Sequence, residues 1–193
     1  MKKTVLLITI LFLGISIANA QIGKGHVMVG GTVADLNVDF DTHTSFSLTP
    51  KALWFVKDGT AIGAYAKFGF NHNNGEDGSS YAYGVGPIAR SYFSVDKIPA
   101  FRKTKLFLEA NVGFEGTDSS VSHSNTNGLG FGVGPGLSYF ITPTVGLEAS
   151  LKYEGIVGFG SNTYTNGLNF LIGFQVFLPS KKLIKEIKDD FSR

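Results

Sequence analysis

From Leu168 to Leu178 the chain alternates without a break. Leu168, Phe170, Ile172, Phe174, Val176 and Leu178 share one parity, while Asn169, Gly173 and Gln175 take the other, with Gly167 just ahead. Side chains of a strand point to opposite faces in turn, so the stretch has an apolar face backed by a polar one. About ten residues of strict period two is what a tilted strand needs to cross a bilayer, with lipid outside and a polar lumen inside. Seven earlier stretches carry the same signal, at 25–34, 45–56, 60–70, 81–93, 104–114, 128–141 and 145–153. Between them, 56–60 and 142–144 read as tight turns, whereas 71–80, 116–127 and 154–166 are longer and rich in Gly, Asn, Ser and Thr. One longer connection, 94–103, falls on the short-turn side. The expected fold is therefore all-β, an eight-stranded antiparallel up-and-down transmembrane β-barrel over residues 21–178.

The first twenty residues stand apart from this pattern. Lys2 and Lys3 precede an apolar run over 5–17 that is too short for a membrane helix, and Ala18-Asn19-Ala20 fits small-x-small cleavage before Gln21. Residues 1–20 are thus read as a cleavable signal peptide. Its loss lowers the 17 basic residues by two, to match the 15 acidic ones, so the basic balance belongs to the leader. A near-neutral remainder carries no electrostatic footprint for nucleic acid. With no cysteine in the chain, a lipoprotein anchor, disulfides and thiol chemistry are all excluded.

A soluble eight-stranded barrel would alternate too, with its apolar face turned inward. Such a lumen holds only its own side chains or one small ligand. The apolar face here takes a large share of 17 phenylalanines plus many Leu, Ile and Val, and would overfill it. Turned inward, it would leave water facing Gly, Ser and Asn. Aromatics also gather near strand ends, with Trp54, Phe93 and Tyr139 toward the short turns and Phe46, Tyr83, Phe114 and Phe131 toward the long loops. Lipid outside is the consistent arrangement.

Parity then directs Lys51, Lys67, Arg90, Glu109, Glu115, Glu148 and Lys152 into the lumen. Arg90 and Glu109 fall at similar heights on neighbouring strands, and Lys51 and Glu148 lie in one layer. Charges in a narrow lumen must pair, because an isolated buried one costs several kcal/mol. A gate or proton path is one reading. A structural ion-pair network that plugs the barrel is the favoured one, since eight strands leave little bore. Gly128, Gly130, Gly132, Gly134 and Gly136 form an inward column without side chains, which either Phe140, Arg90 or Lys152 fills or which stays open as a small polar cavity. A weak repeat links Tyr83-Gly84-Val85-Gly86-Pro87 with Phe131-Gly132-Val133-Gly134-Pro135, and Pro50 lies at comparable depth. Each proline removes a ladder donor and is expected to mark a bulge or bend.

Phe46-Ser47-Leu48-Thr49-Pro50 with Trp54-Phe55, Gly86-Pro87 with Arg90-Ser91-Tyr92-Phe93, and Phe107-Leu108-Glu109 resemble the small outer-membrane β-barrel family, related in architecture to the OmpA and OmpX barrels. The resemblance covers essentially the whole chain after the leader. It implies an integral outer-membrane protein, in a group whose members serve as structural proteins, adhesins or narrow pores. One departure is the end: Pro179 stops the last strand and a basic amphipathic tail, 179–193, follows. That tail caps the lower mouth, lies on the inner leaflet or stays solvated in the periplasm.

The outer segments carry Asp35, Asp39, Asp41, Glu76, Asp77 and Asp118 without a Lys or Arg, and their spacing matches no EF-hand loop. His43, His72 and His123 fall at loops, and His26 faces the lumen near the periplasmic end. A lipid-modifying barrel enzyme would need a Ser/His/acid set, which no spacing in the sequence assembles, so it stands as the least favoured of three readings. The expectation is a structural or surface-interaction barrel, sealed by Lys51, Arg90, Glu109, Glu148, Lys67 and Lys152, with a narrow channel for ions or very small solutes as the alternative. It includes no catalytic, cofactor or metal site. Outer-membrane lipid surrounds a monomer, whose loops offer a surface to an extracellular ligand.

Overall fold

A computed structural model describes residues 22–39, 43–73, 78–94, 103–120, 124–160 and 163–179. The expected leader, most of the 94–103 connection, the loop residues Asp41, Glu76, Asp77 and His123 and nearly all of the tail lie outside the described residues. Eight strands follow in chain order: β1 (Val27–Asp39), β2 (His43–Lys57), β3 (Thr60–Asn73), β4 (Ser79–Ser94), β5 (Thr104–Ser119), β6 (Ser124–Thr142), β7 (Val145–Phe159) and β8 (Tyr164–Leu178). Each pairs antiparallel with the next, and β1 pairs with β8, so the sheet closes into a barrel. Closure leaves no free sheet edge below, which is how a sheet satisfies its backbone in lipid.

The apolar parity faces out on every strand whose side chains are described. Trp54, Phe68, Val85, Phe114, Leu129, Leu168, Phe170 and Ile172 are all more than half exposed. A belt of that kind is stable only when hydrocarbon covers it, and the barrel is a transmembrane one. At the short-turn end, β2 and β3 are joined through Asp58 and Gly59, where Gly59 holds the left-handed φ of +72° that the turn needs. The β6–β7 turn is held by Thr142, whose Oγ1 accepts the amide of Val145 at 3.0 Å.

At the other end the ladders run further than the alternation does. β7 continues to Phe159, and β5 and β6 pair up to Ser119↔Ser124, so much of 71–80, 116–127 and 154–166 is strand rather than loop. Asp35 and Asp39 likewise belong to β1. Backbone pairing needs no apolar face, so the ladder outlasts the periodicity that signals it.

The prolines correct a second expectation. Pro50, Pro87 and Pro135 are each paired on one side, with Gly31, Ala64 and Leu108. On the other side the pairing skips the proline and resumes in the same register, from Leu48↔Phe68 to Lys51↔Tyr65, from Val85↔Phe114 to Ile88↔Asn111, and from Val133↔Tyr153 to Gly136↔Ser150. They interrupt the ladder without bulging it, because a missing N–H removes a bond but adds no residue. The register shifts lie elsewhere, between Ala34 and Asn37, Phe55 and Lys57, and Phe140 and Thr142. The repeated Gly-Pro pairs have a packing reason. A Cβ on Gly86 would come within 2.2 Å of the Val112 carbonyl oxygen, and one on Gly134 within 2.1 Å of that of Leu151.

Candidate functional site: a layered lumen

Four layers fill the barrel from the short-turn end upward. The first is an apolar floor. Phe55 and Phe177 are fully buried, Phe107, Phe140 and Tyr92 nearly so, and they close around Met28, Leu53 and Ala61. The rings of Phe140 and Phe177 lie 5.1 Å apart, those of Tyr92 and Phe107 5.7 Å, and those of Phe55 and Tyr92 5.9 Å. Below them the segment 22–26 folds under the mouth. Gly25 donates to the Phe55 carbonyl at 2.8 Å, Gly59 to that of Ile22 at 2.9 Å, and the Lys24 amide to Asp58 Oδ1 at 2.8 Å. Ile22 packs on the floor from beneath.

The second layer is built on Arg90, whose side chain has no solvent exposure. Its Nε and Nη2 donate to Glu109 Oε2 at 2.9 and 2.5 Å, and its Nη1 donates to Glu148 Oε1 at 2.5 Å and to the Tyr92 hydroxyl at 2.8 Å. The guanidinium rests 3.9 Å from the centre of the Phe107 ring, so the floor also holds it from below. Lys51 and Lys152 donate to Glu109 from the opposite wall at 3.0 and 3.1 Å. Ser138 and Gln175 donate to Glu148 at 2.7 and 3.1 Å. Three cations meet two carboxylates, and each carboxylate accepts several donors.

The third layer reverses that balance, with one cation between two carboxylates. Lys67 Nζ lies 2.8 Å from Glu115 and 3.3 Å from Glu154. Glu115 also accepts the Tyr65 hydroxyl at 2.5 Å and the Asn111 amide at 3.3 Å, and Glu154 accepts Asn169 at 2.8 Å. Lys152, 3.8 Å from Glu154, joins the two ionic layers, in which four cations and four carboxylates meet among the described residues. Above them is the fourth layer, an open vestibule of ≈ 240 Å³ lined by Lys67, Glu115, Thr117, Glu154, Thr165 and Asn169.

The glycine column lies against this filling. A Cβ on Gly136 would sit 2.2 Å from the Phe107 ring, one on Gly130 2.4 Å from Glu115, and one on Gly132 2.5 Å from Asn111. Of the three residues expected to occupy the gap, Lys152 does so at Gly132 beside Asn111; Phe107 and Glu115 do so at Gly136 and Gly130, whereas Gly128 and Gly134 abut the β7 backbone. Because Phe107 is pinned beneath Arg90, its ring has nowhere to go. Gly136→Ala is therefore expected to destabilise the barrel by about 1–3 kcal/mol through overpacking. Gly167→Ala, whose added carbon meets only Asn169 Oδ1 at 3.9 Å, should be neutral. Urea unfolding of the two variants in the same vesicles measures the difference.

All seven lumen charges read from parity occupy the two ionic layers, and Arg90 and Glu109 are direct cross-strand partners. Lys51 and Glu148 both lie in the second layer, where Lys51 reaches Glu109. Glu154, which the sequence pattern places in a loop, belongs to the network, and Tyr65, Tyr92, Asn111, Ser138 and Gln175 complete it as neutral partners. The aromatic floor is hidden by the lipid-facing alternation, although Phe55, Phe107, Phe140 and Phe177 share the inward parity beside short turns. Among the described side chains, His26 and His72 make their contacts outside the network. His26 Nδ1 lies 2.8 Å from the Gly23 carbonyl. His72 Nδ1 lies 2.9 Å from the Gly78 carbonyl oxygen and 3.1 Å from Ser79 Oγ, with no carboxylate among its hydrogen-bond partners in the described residues.

The closed wall, the apolar belt and the packed polar lumen define the fold of small eight-stranded outer-membrane β-barrels. Neisserial surface protein A has that fold, with a TM-score of 0.51 at 18% identity over 78% of this chain and 92% of its own. The N-terminal barrel domain of Pseudomonas aeruginosa OprF scores 0.49 at 12% identity, over 81% and 99%. The attachment invasion locus protein Ail of Yersinia pestis scores 0.47 at 13% identity, over 80% and 99%. No protein-family model matches the chain, and no curated protein aligns with it significantly.

Proposed function

We propose that this chain is an integral outer-membrane barrel with a structural or surface-interaction role, whose lumen is sealed and whose long hairpins form its contact surface. The observation that carries this reading is the aromatic floor beneath the Arg90 hub. A continuous bore would need the column beside β6, and Phe107, Asn111 and Glu115 occupy it. The apolar belt supports lipid as the surroundings, and the alternating short turns and tall hairpins support the short turns as the periplasmic side. Ail and Neisserial surface protein A are described by their names as an attachment and a surface protein, which fits a contact role without specifying a partner.

The reading is tested by single-channel recording of the refolded protein in planar bilayers. The wild type should be silent, and Arg90→Ala should stay silent, because the floor below it is made of rings and not charges. Discrete openings in the wild type would replace this reading with the narrow channel, with the ionic layers as its constriction.

A further inference from the structure

The wall is not equally closed all round. Ladder pairing between β1 and β8 runs from Val27↔Leu178 only to Val33↔Ile172. Just above, the pairing of β1 with β2 carries a register shift between Ala34 and Asn37. Among the described residues, β8 from Tyr164 to Leu171 is paired on its β7 side alone. An unpaired strand edge in hydrocarbon costs several kcal/mol per backbone group, so this edge needs a polar neighbour within reach.

An exterior groove of ≈ 1040 Å³ follows the same seam, lined by Gly31, Val33, Leu48, Phe170, Ile172 and Phe174, with Asn169 among its lining. Asn169 has the inward parity and also lines the vestibule, where it donates to Glu154. One side chain is thus shared by an apolar trough on the lipid side and an ionic cup on the lumen side. The other large exterior groove, beside Trp54 and Ile62, lies where the β4–β5 ladder skips Pro87 and resumes at Ile88↔Asn111, and shares no lining residue with the vestibule.

We propose that the β1–β8 seam is a lateral binding site for a single-tailed amphiphile, its hydrocarbon chain in the groove and its polar head in the vestibule. The lining that groove and vestibule share at Asn169 selects this occupant over a second copy of the chain, whose apolar face would have nothing to place in the cup. Lys67 is already flanked by Glu115 and Glu154, so the cup has a surplus of negative charge and disfavours a carboxylate head. Thr165, Asn169 and the remaining Lys67 N–H suit a neutral head carrying hydroxyl groups, which both donates and accepts. The proposal rests on the membrane-spanning reading.

The test uses the full mature chain in phosphatidylcholine nanodiscs, titrated with a 1-monoacylglycerol bearing a nitroxide at the tail end. Amide NMR signals of Gly31, Val33 and Ile172 should broaden saturably, beyond the broadening of Val85 on the opposite wall. Gly167→Leu fills the cup from a position with open space, and should weaken the saturable component at least about tenfold, the loss of one to two buried hydrogen bonds. Asn169→Leu should do the same, and serves alone if the first variant does not fold by heat-modifiable gel mobility. Equal broadening around the barrel would show bulk lipid only and overturn the proposal, as would seam broadening unaltered by both variants or tighter binding of laurate than of the monoacylglycerol. Failure of the wild type to enter the disc at all would instead fail the membrane-spanning reading.

Discussion

Arg90→Met should lower the unfolding free energy of the barrel by about 3–5 kcal/mol, the cost of leaving a buried pair without one partner. The whole of Arg90 is inside, and its three nitrogens serve Glu109 and Glu148 together. Lys51 and Lys152 would still reach Glu109, whereas Glu148 would keep only the neutral donors Ser138, Gln175 and Tyr92. Glu148 is therefore the group left uncompensated. Adding Glu148→Gln to Arg90→Met should recover a substantial part of the loss, a non-additivity expected of groups in one network. Urea unfolding of the single and double variants in phospholipid vesicles measures it. Additive losses would mean that Arg90 acts on Glu109 alone.

The second large effect is at the floor. Phe177→Ala should destabilise by about 3–5 kcal/mol, as truncation of a fully buried aromatic does. Phe177 is the common neighbour of Phe55, Tyr92 and Phe140, with ring centres at 6.2, 6.4 and 5.1 Å, so no single residue can close over the space it leaves. Combined with Phe55→Ala, it should produce discrete conductance in planar bilayers where the wild type and Arg90→Ala have none. A silent double variant that still folds would place the seal in the ionic layers.

These two predictions differ in how far the sequence alone leads to them. Parity places Arg90 and Glu109 inward and abreast, since antiparallel neighbours joined through strands of known phase have calculable heights. It cannot bring Lys51 of β2 to Glu109 of β5, because that contact crosses the lumen and depends on barrel closure and tilt. Strand starts at Thr60, Thr104 and Val145 and the end at Leu178 coincide with the expected ones, since tight turns and the lipid-facing alternation both mark them. The far ends are under-read by up to six residues, at Phe159 of β7. There both faces are polar or mixed, and period two has no contrast to show. The floor was readable in principle, but inward phenylalanines run against the pattern that identified the strands.

Trp54 is the one tryptophan of the chain and stands 61% exposed on the lipid-facing side of β2, two pairs above the short turn. Intrinsic fluorescence of this protein is therefore a single-site signal. Its emission reports the polarity met by one rim of the belt, free of averaging over a packed interior. Insertion of that rim can thus be timed against closure of the wall, followed by mobility on a gel, without any label.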